Sequence, residues 1–188
     1  MSGSGLHRLH EAPIDEATLI EKARAGDAGA LEALVRRYMD DVYALALRIL
    51  GDGDQAADAT QNAMINAVKG LSRFRGDASF RTWILRIAAN SAKSLGRRRT
   101  RRNEVALTLA DNVAGEDADP ATVATNRAEA ERVTDLLRQL PPKQRMAVHL
   151  RANQGLSYAE IGEILECSEG AARVNYHLGI RRLRELTI

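Results

Sequence analysis

A long amphipathic segment, residues 28–51, places the strongest constraint on what this chain can fold into. Its apolar residues recur every three or four positions, which sets them along one face of an α-helix. Gly51 follows the last of them and provides a helix end. The face consists of Leu31, Leu34, Val35, Tyr38, Val42, Leu45, Ala46 and Ile49.

The neighbouring segments 15–26 and 54–70 have the same helical period. Each begins at an aspartate, Asp15 or Asp54, that is suited to cap a helix, and each closes at a glycine. We find no stretch in which apolar and polar residues alternate as they do in a strand. The sequence therefore predicts an all-α protein.

The charge distribution divides the chain into parts. Residues 103–126 contain five acidic side chains, one proline and no basic residue. Such a segment buries too little apolar surface to offset the entropy lost on ordering it, which favours a flexible linker. We therefore predict a disordered tail at residues 1–13 and two small helical domains, residues 14–102 and 127–188, joined by a flexible acidic linker.

Composition excludes several classes of protein. No apolar run approaches the roughly 20 residues of a membrane span, and the start of the chain lacks the apolar core of a secretory signal. The single cysteine, Cys167, excludes an internal disulfide and a cysteine-rich zinc site. We therefore expect a cytoplasmic protein. Because no nucleophile–base pair or metal-ligand cluster is recognisable, we also expect that it is not an enzyme and has neither metal nor cofactor.

Positive charge is concentrated in residues 74–102, which hold nine basic side chains and one acid. Ser79 is a suitable N-cap for a helix with an apolar face that starts at Phe80. The second face of this helix carries Thr82, Arg86, Asn90, Lys93 and Arg97.

Aromatic and polar residues at the start of a basic helix suit the binding of an unpaired nucleic-acid base, because every base offers a face for stacking. The alternative is that Phe80 and Trp83 belong to the core and that the arginines are merely solvated. Solvated helices normally carry charges of both signs, whereas this run is almost entirely positive. For the run of cations, this favours the binding of nucleic acid.

The C-terminal part predicts a helix-turn-helix. Ser157 with Glu160 forms a capping box, and Ser168 is the N-cap of a second, longer helix. Residues that point away from the inward face of that helix are suited to a DNA major groove. They are Arg173, Val174, His177 and Arg181. The alternative is a plain helical hairpin with no role in nucleic-acid binding.

The order and spacing of several blocks resemble one known family. The blocks include "SFRTW", "GLSYAEIGEIL" and "SEGAARVNYHLGIRRLREL", and the likeness runs from about Ile14 to Leu186. The chain resembles a bacterial extracytoplasmic-function sigma factor of RNA polymerase. The resemblance implies sigma domain 2, a linker and sigma domain 4, with core RNA polymerase, promoter DNA and an anti-sigma factor as partners.

The resemblance also implies a function, namely promoter-specific transcription initiation, typically in a stress response, by recognition of the minus-35 element and melting of the minus-10 element. It assigns the minus-10 contacts to Phe74, Arg75, Asp77, Ser79, Arg81, Thr82, Arg86, Asn90, Lys93 and Arg97. It assigns the minus-35 contacts to Ser168, Arg173, Val174, Asn175, His177 and Arg181. It assigns the contacts with core polymerase to Asp58, Gln61, Asn62 and Ile65.

Two other functions are compatible with a helix-turn-helix. One is a transcription regulator that binds duplex DNA without polymerase, and the other is a helical adaptor whose charges bind protein partners. Neither function requires the aromatic and basic start of the segment 74–102 or the helix around Asp58. The first domain therefore favours the sigma factor.

Overall fold

The computed structural model describes residues 15–107 and 136–187, and the regular elements in these two ranges are helical. This confirms the predicted all-α class. The helices are α1 (Glu16–Arg24), α2 (Ala28–Leu50), α3 (Gly53–Gly70), a 3-10 turn (Leu71–Arg73), α4 (Phe80–Leu107), α5 (Pro142–Ala152), α6 (Tyr158–Leu165) and α7 (Glu169–Leu186). None of these helices is long and apolar enough to cross a membrane.

Capping side chains fix most of the helix starts where the sequence predicts them. Asp15 accepts a hydrogen bond from the backbone N–H of Ala17 at 2.8 Å, and both bonds of the Ser157–Glu160 capping box are present. Gly51 ends α2 in the left-handed conformation, with φ 72°.

The predicted N-cap of α3 is wrong by two residues. Asp52, not Asp54, caps this helix, and its carboxylate accepts from the backbone N–H of Gln55 at 2.9 Å. Asp52 has the extended backbone that an N-cap requires, whereas Asp54 lies within the first turn. There the charge of Asp54 complements the helix dipole.

The predicted start of the linker needs a similar correction. Helix α4 continues to Leu107, five residues into the range 103–126 that we predicted to be flexible. Residues 103–107 contain neither glycine nor proline, so the helix meets no local signal to stop. The rest of that range, and the tail at residues 1–13, lie outside the described residues.

The core of the first domain lies where α2, α3 and α4 pack together, with α1 against α2. Helix α2 contributes Val42 and Leu45, and α4 contributes Ile84 and Leu85, all of them with at most 2% of their surface exposed. Small residues such as Ala63 fill the positions where α3 approaches its neighbours. The apolar stripe predicted for residues 28–51 therefore forms the centre of this domain.

The second domain is built from α5, α6 and α7, which pack on one another around residues such as Leu150, Ile161 and Ala172. The turn between α6 and α7 contains Glu166 in the left-handed conformation, with φ 55°. A β-carbon on Gly162 would lie 2.7 Å from the carbonyl oxygen of Cys167. The glycine therefore allows the turn to fold tightly onto α6, as a helix-turn-helix requires.

The two domains pack directly against each other. Helices α2 and α4 of the first contact α5 and α6 of the second, and one continuous apolar cluster includes residues from both, such as Phe80 and Ile161. At this junction lies His149, which is 4% exposed. Burial, with a smaller contribution from the charge of Arg48, lowers its pKa to about 4.

The low pKa of His149 predicts an acid-sensitive fold. The folded pKa lies below the ordinary value of 6.5, so the unfolded chain binds the proton more readily and stability falls as pH drops from 6.5. We expect a loss of about 2 kcal/mol between pH 6.5 and 4.5, measured by urea unfolding at each pH. His149→Gln should remove most of this slope, and an unchanged slope would contradict the assignment.

Candidate nucleic-acid interface

A polar pocket of about 350 Å³ lies at the start of α4. Its wall is the loop 73–78, in which Gly76 takes a left-handed turn with φ 81°. Trp83 and Arg86 of α4 line the other side, and Glu163 of α6 reaches its edge. Ser79 ends the loop by accepting from the backbone N–H of Thr82 at 3.1 Å, so the predicted N-cap of this helix is confirmed.

Aromatic packing holds this loop in place. The Phe74 ring lies edge-on to that of Phe80 with centroids 5.3 Å apart, and 5.2 Å from that of Trp83. Phe74 is 9% and Phe80 4% exposed. The alternative interpretation of Phe80 as a core residue is therefore correct.

Phe74, which is predicted to contact DNA directly, is buried in the aromatic cluster and also lines the pocket. Its contact with DNA stays a prediction. The sequence showed only that aromatic residues stand together at this point. It could not show that three of them would pack on each other and on Tyr38.

The face of α4 that carries Arg86, Asn90, Lys93 and Arg97 is at least partly open to solvent between residues 86 and 97. Arg86 and Lys93 are half-buried, whereas Asn90 and Arg97 are exposed. In the loop itself, Arg75 and Asp77 are both exposed and form an ion pair of 3.2 Å. These polar and charged groups form one surface that continues from the pocket along the helix.

Arg81 and Thr82 lie instead against the second domain. Arg81 pairs with Asp41 of α2 at 2.9 Å and donates to the backbone carbonyl of Gln154 at 2.7 Å. Thr82 is fully buried, and its hydroxyl donates to Glu160 of α6 at 3.0 Å. In this arrangement both side chains are engaged by residues from distant parts of the sequence, and their contact with DNA stays a prediction.

The second helix of the helix-turn-helix, α7, presents most of the predicted reading residues. Arg173, His177 and Arg181 are exposed, and Val174 is 56% exposed. Ser168 caps the helix, as predicted, by accepting from the backbone N–H of Ala171.

Two features of α7 modify this surface. Asn175 is half-buried and donates its amide to the carbonyl of Ala171 at 2.8 Å, so it turns back onto its own helix and is not presented as predicted. Arg173 pairs with Glu169 at 2.8 Å and lies 5.2 Å from the ring centre of Tyr158. This packing orients the guanidinium at the start of the helix.

The four residues predicted to bind polymerase are all exposed on α3. Two of them, Gln61 and Ile65, line a shallow groove of about 430 Å³ between α2 and α3. Asn62 donates its amide to the carbonyl of Asp58 at 2.8 Å. The groove is lined by apolar side chains such as Met64 and Ile65 together with polar ones such as Asp40 and Gln61.

The opposite wall of this groove consists of residues that sequence reasoning missed. Met39 and Tyr43 of α2 are 39% and 37% exposed, although both side chains are large and largely apolar. The sequence could have indicated their exposure, because each follows directly after a residue of the buried face, Tyr38 or Val42. One residue further along a helix, a side chain points away from that face and towards the surface.

Comparison with known proteins agrees with this organisation. The family model "Sigma-70 region 2" matches residues 34–102 and "Sigma-70, region 4" matches residues 130–183. The RNA polymerase sigma-H factor of Pseudomonas aeruginosa is 36% identical over 163 residues, which cover 82% of this chain and 84% of that protein. The ECF RNA polymerase sigma-E factor of Escherichia coli is 34% identical over 168 residues, covering 85% and 87%.

Two solved structures share the fold. CnrH, determined in complex with the cytosolic domain of CnrY, superposes with a TM-score of 0.68 at 24% identity and covers 92% of this chain and 96% of its own. RpoE of Bartonella quintana, determined with the anti-sigma factor NepR, has a TM-score of 0.68 at 22% identity, covering 83% and 95%.

A sigma region 2 and a helix-turn-helix region 4 in one helical chain define a transcription initiation factor, and the chain belongs to the sigma-70 family. Within that family its relatives place it among the extracytoplasmic-function factors. It is an alternative sigma factor that directs transcription by RNA polymerase at promoter DNA. Sigma factors are DNA-binding initiation factors and are not known as enzymes.

The contact between Thr82 and Glu160 predicts a measurable coupling of the domains. Thr82→Val keeps the shape of the side chain but removes the donor to one oxygen of Glu160, while Ser157 still donates to the other. We expect the loss of this bond to cost about 1 kcal/mol. Urea unfolding followed by the fluorescence of Trp83, the only tryptophan, measures this loss. Thr82→Ser keeps the hydroxyl and should stay close to wild type. Equal stability of the valine and wild-type proteins would contradict the bond.

Proposed function

We propose that the pocket formed by the loop 73–78, Trp83 and Arg86 captures an unpaired base of the minus-10 element. The observation that carries this proposal is the position of the pocket at the start of a basic helix. Extracting a base from the duplex costs a few kcal/mol, which an enclosing pocket with nearby cations offsets. The polar groups of the loop provide the hydrogen bonds that distinguish one base from another.

The phosphates of the opened strand then follow the basic face of α4. Arg86 lies in the pocket wall, and Asn90, Lys93 and Arg97 continue along the helix in the C-terminal direction. Such contacts position the strand without reading its sequence. Specificity for the minus-10 element therefore comes from the pocket and affinity comes from the helix.

Arg81 and Thr82 contact DNA only after the domains separate. Both are engaged by Gln154 and Glu160 of the second domain when the domains are docked. When the two domains bind the two promoter elements, the free energy of binding compensates for the loss of these contacts between the domains. The docked arrangement is thus the form of the protein that does not open promoters.

Helix α7 reads the minus-35 element in the major groove. Its exposed residues Arg173, Val174, His177 and Arg181 lie along one face that begins in the first turns of the helix. This is the geometry in which a recognition helix presents side chains to base edges. Ser168 and the free backbone N–H groups of the first turn contact the adjacent phosphate.

The groove between α2 and α3 binds core polymerase. Ile65, Met39 and Tyr43 supply an exposed apolar centre, and Asp58, Gln61 and Asn62 supply a polar edge. An apolar centre within a polar rim is the usual composition of a specific protein interface. Asp58 at the edge steers the approach of a basic partner surface.

An anti-sigma factor regulates the protein by binding both domains in their docked arrangement. The structures of CnrH with CnrY and of RpoE with NepR support this part of the proposal, since both are complexes of a protein with this fold. The factor acts in the cytoplasm, where it meets polymerase, responds to stress, and has no catalytic activity of its own.

Run-off transcription tests the function and the polymerase surface together. Core polymerase with the wild-type protein should produce promoter-specific transcripts above the core-only background. Asp58→Arg should reduce them by slowing holoenzyme assembly through a reversed rim charge. Glu21→Arg makes the same charge change on the exposed surface of α1 and should leave transcription intact. Equal transcription by both variants would show that the assigned surface is wrong.

The roles of pocket and helix can be separated in holoenzyme binding to a pre-melted template. Arg97→Ala should weaken binding to all sequences alike and lower the salt slope by about one charge. Asp77→Asn, in the pocket loop, should change preference at one minus-10 position by about 1–3 kcal/mol. Asp54→Asn makes the same charge change at the start of α3, away from the pocket, and should alter no preference. Unchanged base preference in Asp77→Asn would count against the pocket.

A further inference from the structure

His149 of the second domain lies on the side of α5 that faces the C-terminal end of α2. Arg145, His149 and Asn153 follow one another at intervals of four residues, so they share one side of this helix. They line a cleft of about 390 Å³, and the first domain lines it with residues of α2 such as Ala44 and Leu47. The imidazole therefore lies where the two domains meet.

The imidazole is buried without a hydrogen-bonding partner. His149 is 4% exposed, and both of its ring nitrogens are buried and form no hydrogen bond within the described parts of the chain. Buried polar atoms are nearly always paired in proteins, and an unpaired one costs free energy. The docked arrangement therefore holds this side chain in surroundings that disfavour its charged form.

The charges around His149 add to the effect of burial. Burial is the largest cause that lowers the pKa of His149, to about 4; the charge of Arg48 lowers it further, and Asp41, also of α2, opposes the shift. Arg145 of α5 and Arg138 of the preceding segment line the same cleft. Helices α6 and α7 also pack on α5, but neither contributes a lining residue to the cleft. The charges that come from the other domain are thus those of α2.

We propose that His149 makes the docking of the two domains sensitive to pH, so that acidification favours their separation. When α2 moves away from α5, the imidazole loses the residues of α2 that cover it and regains contact with water. A solvated imidazole titrates near the ordinary pKa of 6.5. The separated form therefore binds a proton more readily than the docked form, and proton binding favours separation by mass action.

The pH range and the size of the effect follow from these two pKa values. Docking is unaffected by His149 above pH 6.5 and weakens progressively as the pH falls from 6.5 towards 4. Between pH 7.5 and 5.5, the ratio of separated to docked protein should rise about tenfold. This change concerns the contact between the domains, so the helices of each domain stay folded. Its consequence for transcription, a larger fraction of protein able to open promoters, rests on the proposed function.

Solution X-ray scattering of the full-length protein at pH 7.5, 6.5 and 5.5 measures docking without polymerase or DNA. The radius of gyration of the wild type should rise as the pH falls. His149→Gln keeps a neutral side chain at every pH and should show no such rise. His177→Gln removes an imidazole that is exposed on α7 and should leave the pH response of the radius unchanged. Circular dichroism identifies a variant that fails to fold, and His149→Leu, which is also neutral, then replaces His149→Gln.

A second background makes the shift measurable even if nearly all of the wild-type protein is docked. Arg81→Ala removes the bond from the guanidinium to the backbone carbonyl of Gln154, so it raises the separated fraction at every pH. The radius of this variant should rise more steeply with acid than that of the wild type. Addition of His149→Gln to Arg81→Ala should abolish the rise.

Three results would overturn the proposal. The first is a radius that stays constant between pH 7.5 and 5.5 in both the wild type and Arg81→Ala. The second is an equal rise in His149→Gln, which assigns the response to another titratable group. The third is a rise that occurs only together with a loss of helical circular dichroism, which indicates unfolding instead of separation. Failure of the proposed function is distinguishable, because the radius would still depend on His149 while run-off transcription showed no promoter-specific product.

Discussion

The guanidinium of Arg81 lies where the two halves of the molecule meet, and the relation between them depends on it. Its donors are shared between the carboxylate of Asp41 within the first domain and the backbone carbonyl of Gln154 in the second. Only about a third of the Arg81 and Asp41 side chains is exposed, so the guanidinium keeps most of its hydrogen bonds within the protein while the domains are docked. These bonds connect α2, α4 and the segment that follows α5.

The junction combines two kinds of contact, which would respond differently if the domains separate as proposed. The apolar cluster that crosses the junction favours docking, and exposing it on separation is unfavourable. The polar contacts at its edge, by contrast, involve side chains that can be satisfied equally well by phosphates, bases or water. The free energy of docking thus has two parts. The apolar contacts favour docking, and the polar contacts can be replaced by contacts with other partners.

Much of the fold was predictable because its determinants are local. The apolar period of residues 28–51 and the capping signals at Asp15, Ser79, Ser157 and Ser168 each act within one or two helical turns. Even the error at Asp54 is local, since two aspartates separated by one glycine compete for the same cap. Only the backbone conformation decides between them.

The candidate site was less predictable, because residues far apart in sequence decide which side chains remain open. Thr82 lies on the polar face of its helix by period, yet Glu160 from the other domain covers it. Phe74 is removed from the surface by the rings of Phe80 and Trp83, which α4 supplies. Conversely, Met39 and Tyr43 stay exposed because no other described helix covers that side of α2 and α3. Helical periodicity defines faces, but it does not identify what packs on them.

Glu160 links two properties of this protein that would otherwise vary independently. One of its oxygens completes the capping box that starts α6, and the other accepts from Thr82 across the domain junction. A substitution of Glu160 therefore changes both the contact between the domains and the stability of the start of α6. The exposed residues Arg173, Val174, His177 and Arg181 of α7 make none of the described contacts with the first domain. If they read the promoter as proposed, substitutions there change promoter preference without changing the contact between the domains.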